Sequence, residues 1–177
     1  MKKKMLLPVI LLVLALALAA CGNDSADFPP HGVWDGNVYT NEYLGFTFTM
    51  PDDWIAFTDA GRPDTTVMES MQVSSLSGAN VSIVYERLQN TGISAVQFIE
   101  LSSAQTGAEV NLFPGTTRIG NYDWTSFETS MEIAFGPNIY FRQFVSIHEG
   151  FARTITILYD EGSESPEEIL AMFSGIR

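Results

Sequence analysis

The chain has 177 residues, 21 acids against nine Lys and Arg for a formal net charge of −12, and one cysteine. That length suits one domain with a sizeable core. Its acidity opposes a phosphate backbone, which argues against nucleic-acid binding, and a lone cysteine excludes an internal disulfide.

Residues 1–20 read as a signal peptide. Met1-Lys2-Lys3-Lys4 is basic, residues 5–18 carry no charge, and Leu18-Ala19-Ala20 places small residues before a cut. The uncharged run is shorter than the roughly 20 apolar residues of a membrane-spanning helix. Leu18-Ala19-Ala20-Cys21 resembles the lipobox of bacterial lipoproteins. The resemblance implies that Cys21 takes a diacylglyceryl group and becomes the acylated N-terminus. Two or more acyl chains anchor a protein stably where one does not. The expected location is the extracytoplasmic face of the cell membrane. All three lysines leave with the signal, so six arginines face 21 acids and the mature net charge is −15. Membrane association is therefore expected from the lipid and not from a basic patch.

Residues 21–36 follow as the lipidated cysteine and a tether rich in Gly, Asp, Asn, Ser and Pro; Val33 and Trp34 are candidates to dock on the domain. The domain is expected over residues 37–177. Phe46, Phe48 and Met50 alternate with Thr47 and Thr49, which predicts a half-buried strand ended by Pro51. Residues 59–65 read as a loop around Gly61 and Pro63. Residues 67–76 lean to strand, because Ser77-Gly78-Ala79-Asn80 then turns into a partner strand over 81–88. Ser94 with Gln97, flanked by Ile93 and Phe98, makes a capping box and hydrophobic staple for a helix over 95–104. Strands are expected over 122–135, 138–148 and 151–159, joined by Gly136-Pro137 and Glu149-Gly150 as two-residue turns. That register puts Met131, Arg142 and Ile157 side by side. Ser165-Pro166 with Glu168 starts a closing helix over 166–173.

Tyr39-Thr40-Asn41, then Gly45-Phe46-Thr47-Phe48-Thr49-Met50-Pro51, then Trp54, resembles the opening of PsbP-like domains, an opening also carried by small lipoproteins of Gram-positive bacteria. The resemblance covers roughly residues 37–177. It implies an α+β fold: an antiparallel sheet of about six strands with a meander, packed with two or three helices as an α/β/α sandwich. It implies no chemistry. Members include a photosystem accessory protein and a nuclear-transport factor with unrelated roles, and none of their binding residues maps here.

The residues offer little catalytic material. His31 and His148 are too few for a zinc site, and His148-Glu149-Gly150-Phe151-Ala152 lacks the second His of a metalloprotease helix. No nucleophile elbow or Gly-rich phosphate loop occurs. Asp52 and Asp53 read as solvated turn residues, and Asp35-Gly36-Asn37 as a tight turn. Arg142 and Arg153 fall on the apolar face of the meander, where a buried arginine needs a partner. They either pair or snorkel locally, or line a groove for an anionic ligand or partner. No metal or cofactor is implied. The sequence thus points to a non-enzymatic, lipid-anchored binding or accessory module of the envelope, with an envelope protein or small ligand as partner. An envelope-acting hydrolase with a carboxylate site and a purely structural component are the alternatives.

Overall fold

The structure, a computed structural model, describes residues 28–57, 67–106, 109–132 and 136–176. The signal peptide, Cys21 and the 59–65 loop lie outside the described residues. No helix among the described residues is long and apolar enough to cross a membrane.

Two antiparallel sheets stack face to face. The smaller follows the order β1-β2-β3-β12, made of β1 (Val33–Asp35), β2 (Val38–Asn41), β3 (Phe46–Thr49) and β12 (Phe173–Gly175). The larger runs β4 (Trp54–Ala56), β5 (Val67–Ser75), β6 (Asn80–Arg87), β11 (Phe151–Tyr159), β10 (Ile139–His148), β9 (Tyr122–Met131) and β7 (Asn111–Leu112), with β8 (Thr117–Ile119) also paired to β9. Helix α1 (Ala95–Thr106) lies on the outer face of the large sheet, and α2 (Pro166–Leu170) leads into β12. The expected single sheet of about six strands between helices is corrected: a second sheet, not a helix layer, covers the inner face.

The inner core follows from alternation. Phe46 and Phe48 of β3 are fully buried against Val81, Ile83 and Tyr85 of β6 and Ile155 and Ile157 of β11. Residues 33–35, expected in the tether, form β1 opposite β2, and Trp34 packs on Tyr39 with ring centroids 5.2 Å apart. Phe173, expected to end a helix, instead lies in β12 opposite Phe48, with ring centroids 4.9 Å apart. Helix α2 therefore stops at Leu170, although its capping box at Ser165 and Glu168 forms as expected. Wedging Phe173 between Phe46 and Phe48 removes a large aromatic from water, worth about 2 kcal/mol, which one more helical turn at the surface cannot match.

A buried polar hub joins the two sheets. Asn41 is fully buried, its Nδ2 donates to Tyr39 Oη (3.1 Å) and Tyr85 Oη (2.9 Å), and its Oδ1 accepts from Leu44 N (2.9 Å). Tyr39 Oη also lies 2.7 Å from Ser70 Oγ and accepts from Gly32 N at 3.0 Å. Ser70 sits at a bulge in β5, where the register shifts between Glu69 and Met71 and Ser70 and Met71 both turn inward. The turn that Asn41 closes ends at Gly45 (φ +69°), which faces Gly120 (φ +59°) so closely that a Cβ on Gly120 would stand 2.7 Å from Leu44 O.

The meander register is half as expected. Tyr140, Arg142 and Phe144 pair with Tyr159, Ile157 and Ile155, across a Glu149-Gly150 turn in which both residues have positive φ. On the other side Arg142 faces Glu128, not Met131, because Ile139 pairs with Met131 and the connection is longer than two residues. Pro137 cannot take the positive φ of a type I′ hairpin turn. The three-residue shift is odd, so it turns Glu128 to the inner face beside Arg142.

Asn41→Ala would take a donor away from each of two buried hydroxyls and leave the Leu44 N–H without its acceptor. We expect a loss of about 3 kcal/mol in urea unfolding at unchanged m-value.

Candidate functional site

Strands β9 and β10 bury large side chains on both faces. Trp124 and Phe144 point inward, while Phe127 and Val145 point outward beneath α1. Helix α1 starts as predicted, with Gln97 N donating to Ser94 Oγ (3.2 Å) and Ser94 N to Gln97 Oε1 (2.9 Å). Its one fully buried residue is Ile99, which packs with Phe127 and Val145.

Beside that contact the helix and sheet do not close. A cavity of about 260 Å³ lies between them. Three cross-strand rows supply its floor: Val84–Thr154–Val145, Thr156–Gln143–Phe127 and Phe141–Thr129. Phe98, Ile99, Ser102, Ser103 and Thr106 form the roof, spaced along one side of α1. The lining is mostly apolar with scattered hydroxyls and one amide, the composition of a small-molecule site. Among the described residues, Glu86 is the one ionisable side chain on it.

Glu86 stands on the outer face of β6, and Glu69 is its diagonal neighbour across β5. Burial lifts both carboxyls above the usual carboxylate range. No hydrogen bond or ion pair reaches either among the described residues.

The two arginines take different environments on the inner face. Arg142 forms a loose ion pair with Glu128 (3.8 Å), and its guanidinium lies 3.2 Å from the centre of the Phe113 ring. Glu128 Oε2 also accepts from Tyr159 Oη at 2.5 Å; burial and this acceptor together push the Tyr159 hydroxyl well above its ordinary value. Arg153 is 1% exposed, donates from Nη2 to Ser146 Oγ (2.8 Å), and lies 3.9 Å from the Tyr122 ring centre with Tyr43 and Trp124 beyond. Its Nε and Nη1 have no hydrogen-bond partner. Arg153 pairs across the ladder with Ser146, four residues from Arg142 along β10, or roughly 13 Å, and the buried Phe144 lies between. The two do not share a groove. Each is held by aromatic faces, an attraction that strengthens out of water.

Asp52 and Asp53 are exposed in a turn, and His148 ends β10, 3.7 Å from Glu149. No three His, Cys, Asp or Glu side chains converge among the described residues. The cavity is not foreshadowed in the sequence, where Thr154, Thr156 and Gln143 alternate with Arg153, Ile155 and Arg142 and make the other face of the meander look polar. Phe127, Phe141 and Val145 on that same face were the available signal, since large apolar groups there require a cover.

No protein-family model matches the sequence, and no curated protein matches it. Solved structures with some likeness include a Bacteroides thetaiotaomicron protein (13% identity, TM-score 0.44, 75% of this chain), of which this chain spans 46%. Another is the cyanobacterial PsbP, CyanoP, of Synechocystis (13% identity, TM-score 0.45, 89% of this chain and 98% of that one). A third is LpqN of Mycobacterium tuberculosis, involved in cell envelope biogenesis (9% identity, TM-score 0.41, 72% of this chain and 76% of that one). With TM-scores below 0.5, none of the three decides the fold, which rests on the strand order and register.

Glu69 and Glu86 bind protons more tightly folded than unfolded, so both favour the native state at low pH and oppose it as pH rises past their raised values. Glu69→Gln and Glu86→Gln should each raise the melting temperature at pH 7, by less than about 1 kcal/mol in stability because water still reaches one side. Thermal scans from pH 4 to 7 should show each variant gaining on the wild type as pH rises.

Proposed function

We propose that the protein is a non-enzymatic, lipid-anchored binding module of the extracytoplasmic membrane face, whose cavity under α1 takes a small, largely apolar ligand. The cavity is the observation that carries this reading. It has a floor and roof in which apolar side chains alternate with neutral hydrogen-bonding groups, and among the described residues a single acid without a second acid–base partner on its lining. Anchoring is supported by the Leu18-Ala19-Ala20-Cys21 motif behind a basic, then uncharged, leader. A kinship with PsbP-like domains rests on the opening motif from Tyr39 to Trp54, and it assigns no ligand. The fold serves the cavity by holding β9, β10 and β11 in one rigid ladder, fixed from behind by the small sheet.

Thr154 sits in the middle of the floor, between Val84 and Val145. Thr154→Phe should fill the space without breaking a core contact. The mature protein, purified without alkyl detergent, should carry a small molecule in native mass spectrometry, and the Thr154→Phe protein, equally folded by circular dichroism, should lose it. A wild type without any bound molecule, or a variant that retains it, would overturn the cavity as the site. Independently, Cys21→Ser should leave the protein either shed or uncut, and a cut, membrane-bound Ser variant would overturn the anchor.

A further inference from the structure

Charge at the cavity narrows what can enter it. Its described lining holds no Arg, Lys or His, and holds one carboxyl, Glu86. An anionic head, such as a carboxylate or phosphate, would meet a half-buried acid and no counter-charge on that described lining. A neutral ligand would leave Glu86 as it stands, without a partner among the described residues. A cation would give it one.

Placement favours the same answer. Glu86 pairs across the ladder with Ala152, and Ala152 with Ile147, so Glu86 marks the Ile147 end of the floor. Met131 pairs with Ile139 and marks the other end, eight residues along β10, on the order of 26 Å. Between them lie Phe127, Phe141 and Val145 under Phe98 and Ile99. The site is therefore long, apolar along its length and acidic at one end. Glu69 adds a second carboxyl on the same face, diagonal to Glu86, while Arg142 and Arg153 lie on the opposite face. Helix α1 brings no charged side chain to the lining: its one acid, Glu100, is exposed.

We infer that the cavity binds a single-chain amphiphile with a cationic amine head, the ammonium held at Glu86 and the chain laid along Phe127, Phe141 and Val145. This rests on the cavity being the binding site. Binding supplies the counter-charge that Glu86 lacks among the described residues and puts the chain on an apolar track. The raised carboxyl gives the interaction a direction in pH: affinity for the amine falls as the pH drops and Glu86 takes up a proton, with Glu69 titrating beside it. No other titratable group among the described residues faces the cavity.

The test uses the mature chain with Cys21→Ser, so that no acyl chain of its own competes, and three probes of one chain length below their micelle concentrations: dodecylamine, dodecanol and dodecanoate. Equilibrium dialysis at pH 7 should show one site, with the amine bound at least about tenfold tighter than the carboxylate and the alcohol between them. Glu86→Gln should weaken the amine to the level of the alcohol and leave the alcohol unchanged. Thr154→Phe should abolish all three, which separates the cavity from loose attraction of amines to an acidic surface. Equal binding of amine and carboxylate, or an amine preference that survives Glu86→Gln, would overturn the inference while leaving the cavity as the site. Amine binding that persists in Thr154→Phe would overturn it as a surface effect. Failure of all three probes would overturn both readings together.

Discussion

Everything in the fold depends on one buried asparagine meeting two buried tyrosines. An amide offers two donors and an acceptor with two lone pairs, and in the core each must find a partner or cost free energy. Asn41 places its donors on Tyr39 and Tyr85 and its acceptor on the backbone of its own turn. Tyr39 belongs to the small sheet and Tyr85 to the large one, so a single side chain sets both the closure of a turn and the spacing of two layers. Apolar packing alone, being non-directional, would let the sheets slide. The bulge at Ser70 and the close approach of Gly45 and Gly120 are the backbone adjustments that let this network close.

Local features were legible in the sequence because their causes are local. Ser94 with Gln97 and Ser165 with Glu168 cap helices within one turn of themselves. Glu149-Gly150 makes a tight turn from its own backbone preferences, so the pairing of Arg142 with Ile157 followed directly. Non-local features were not legible. The connection between Met131 and Ile139 is set by which residues pair, and nothing in Gly136-Pro137 states its length. Phe173 continues the apolar spacing of α2, yet it is claimed by Phe46 and Phe48, more than a hundred residues earlier.

The site shows the same division. Alternation in β10 and β11 identified which residues share a face, and both arginines do lie on the inner one. It could not say what covers each face. Thr154, Thr156 and Gln143 are polar enough to read as solvated, and only the helix above them turns that surface into a lined space. Buried cations such as these two arginines are rare. Phe113 and Glu128 hold one, and Tyr122, Trp124 and Ser146 hold the other, whose Nε and Nη1 stay unpaired among the described residues.

Helix α1 is weakly secured, with one fully buried residue and a cavity beside it. The sheet beneath is a continuous ladder tied to a second layer. Sub-global opening follows the weakest seam, and here that seam is the boundary between the helix and the ladder. Lifting α1 would break the Ile99 contact and leave the Asn41 network intact. Access to the cavity is thus separable from global unfolding. Amide exchange in α1 would report the frequency of opening, while exchange in β10 and β11 would report the stability of the whole domain.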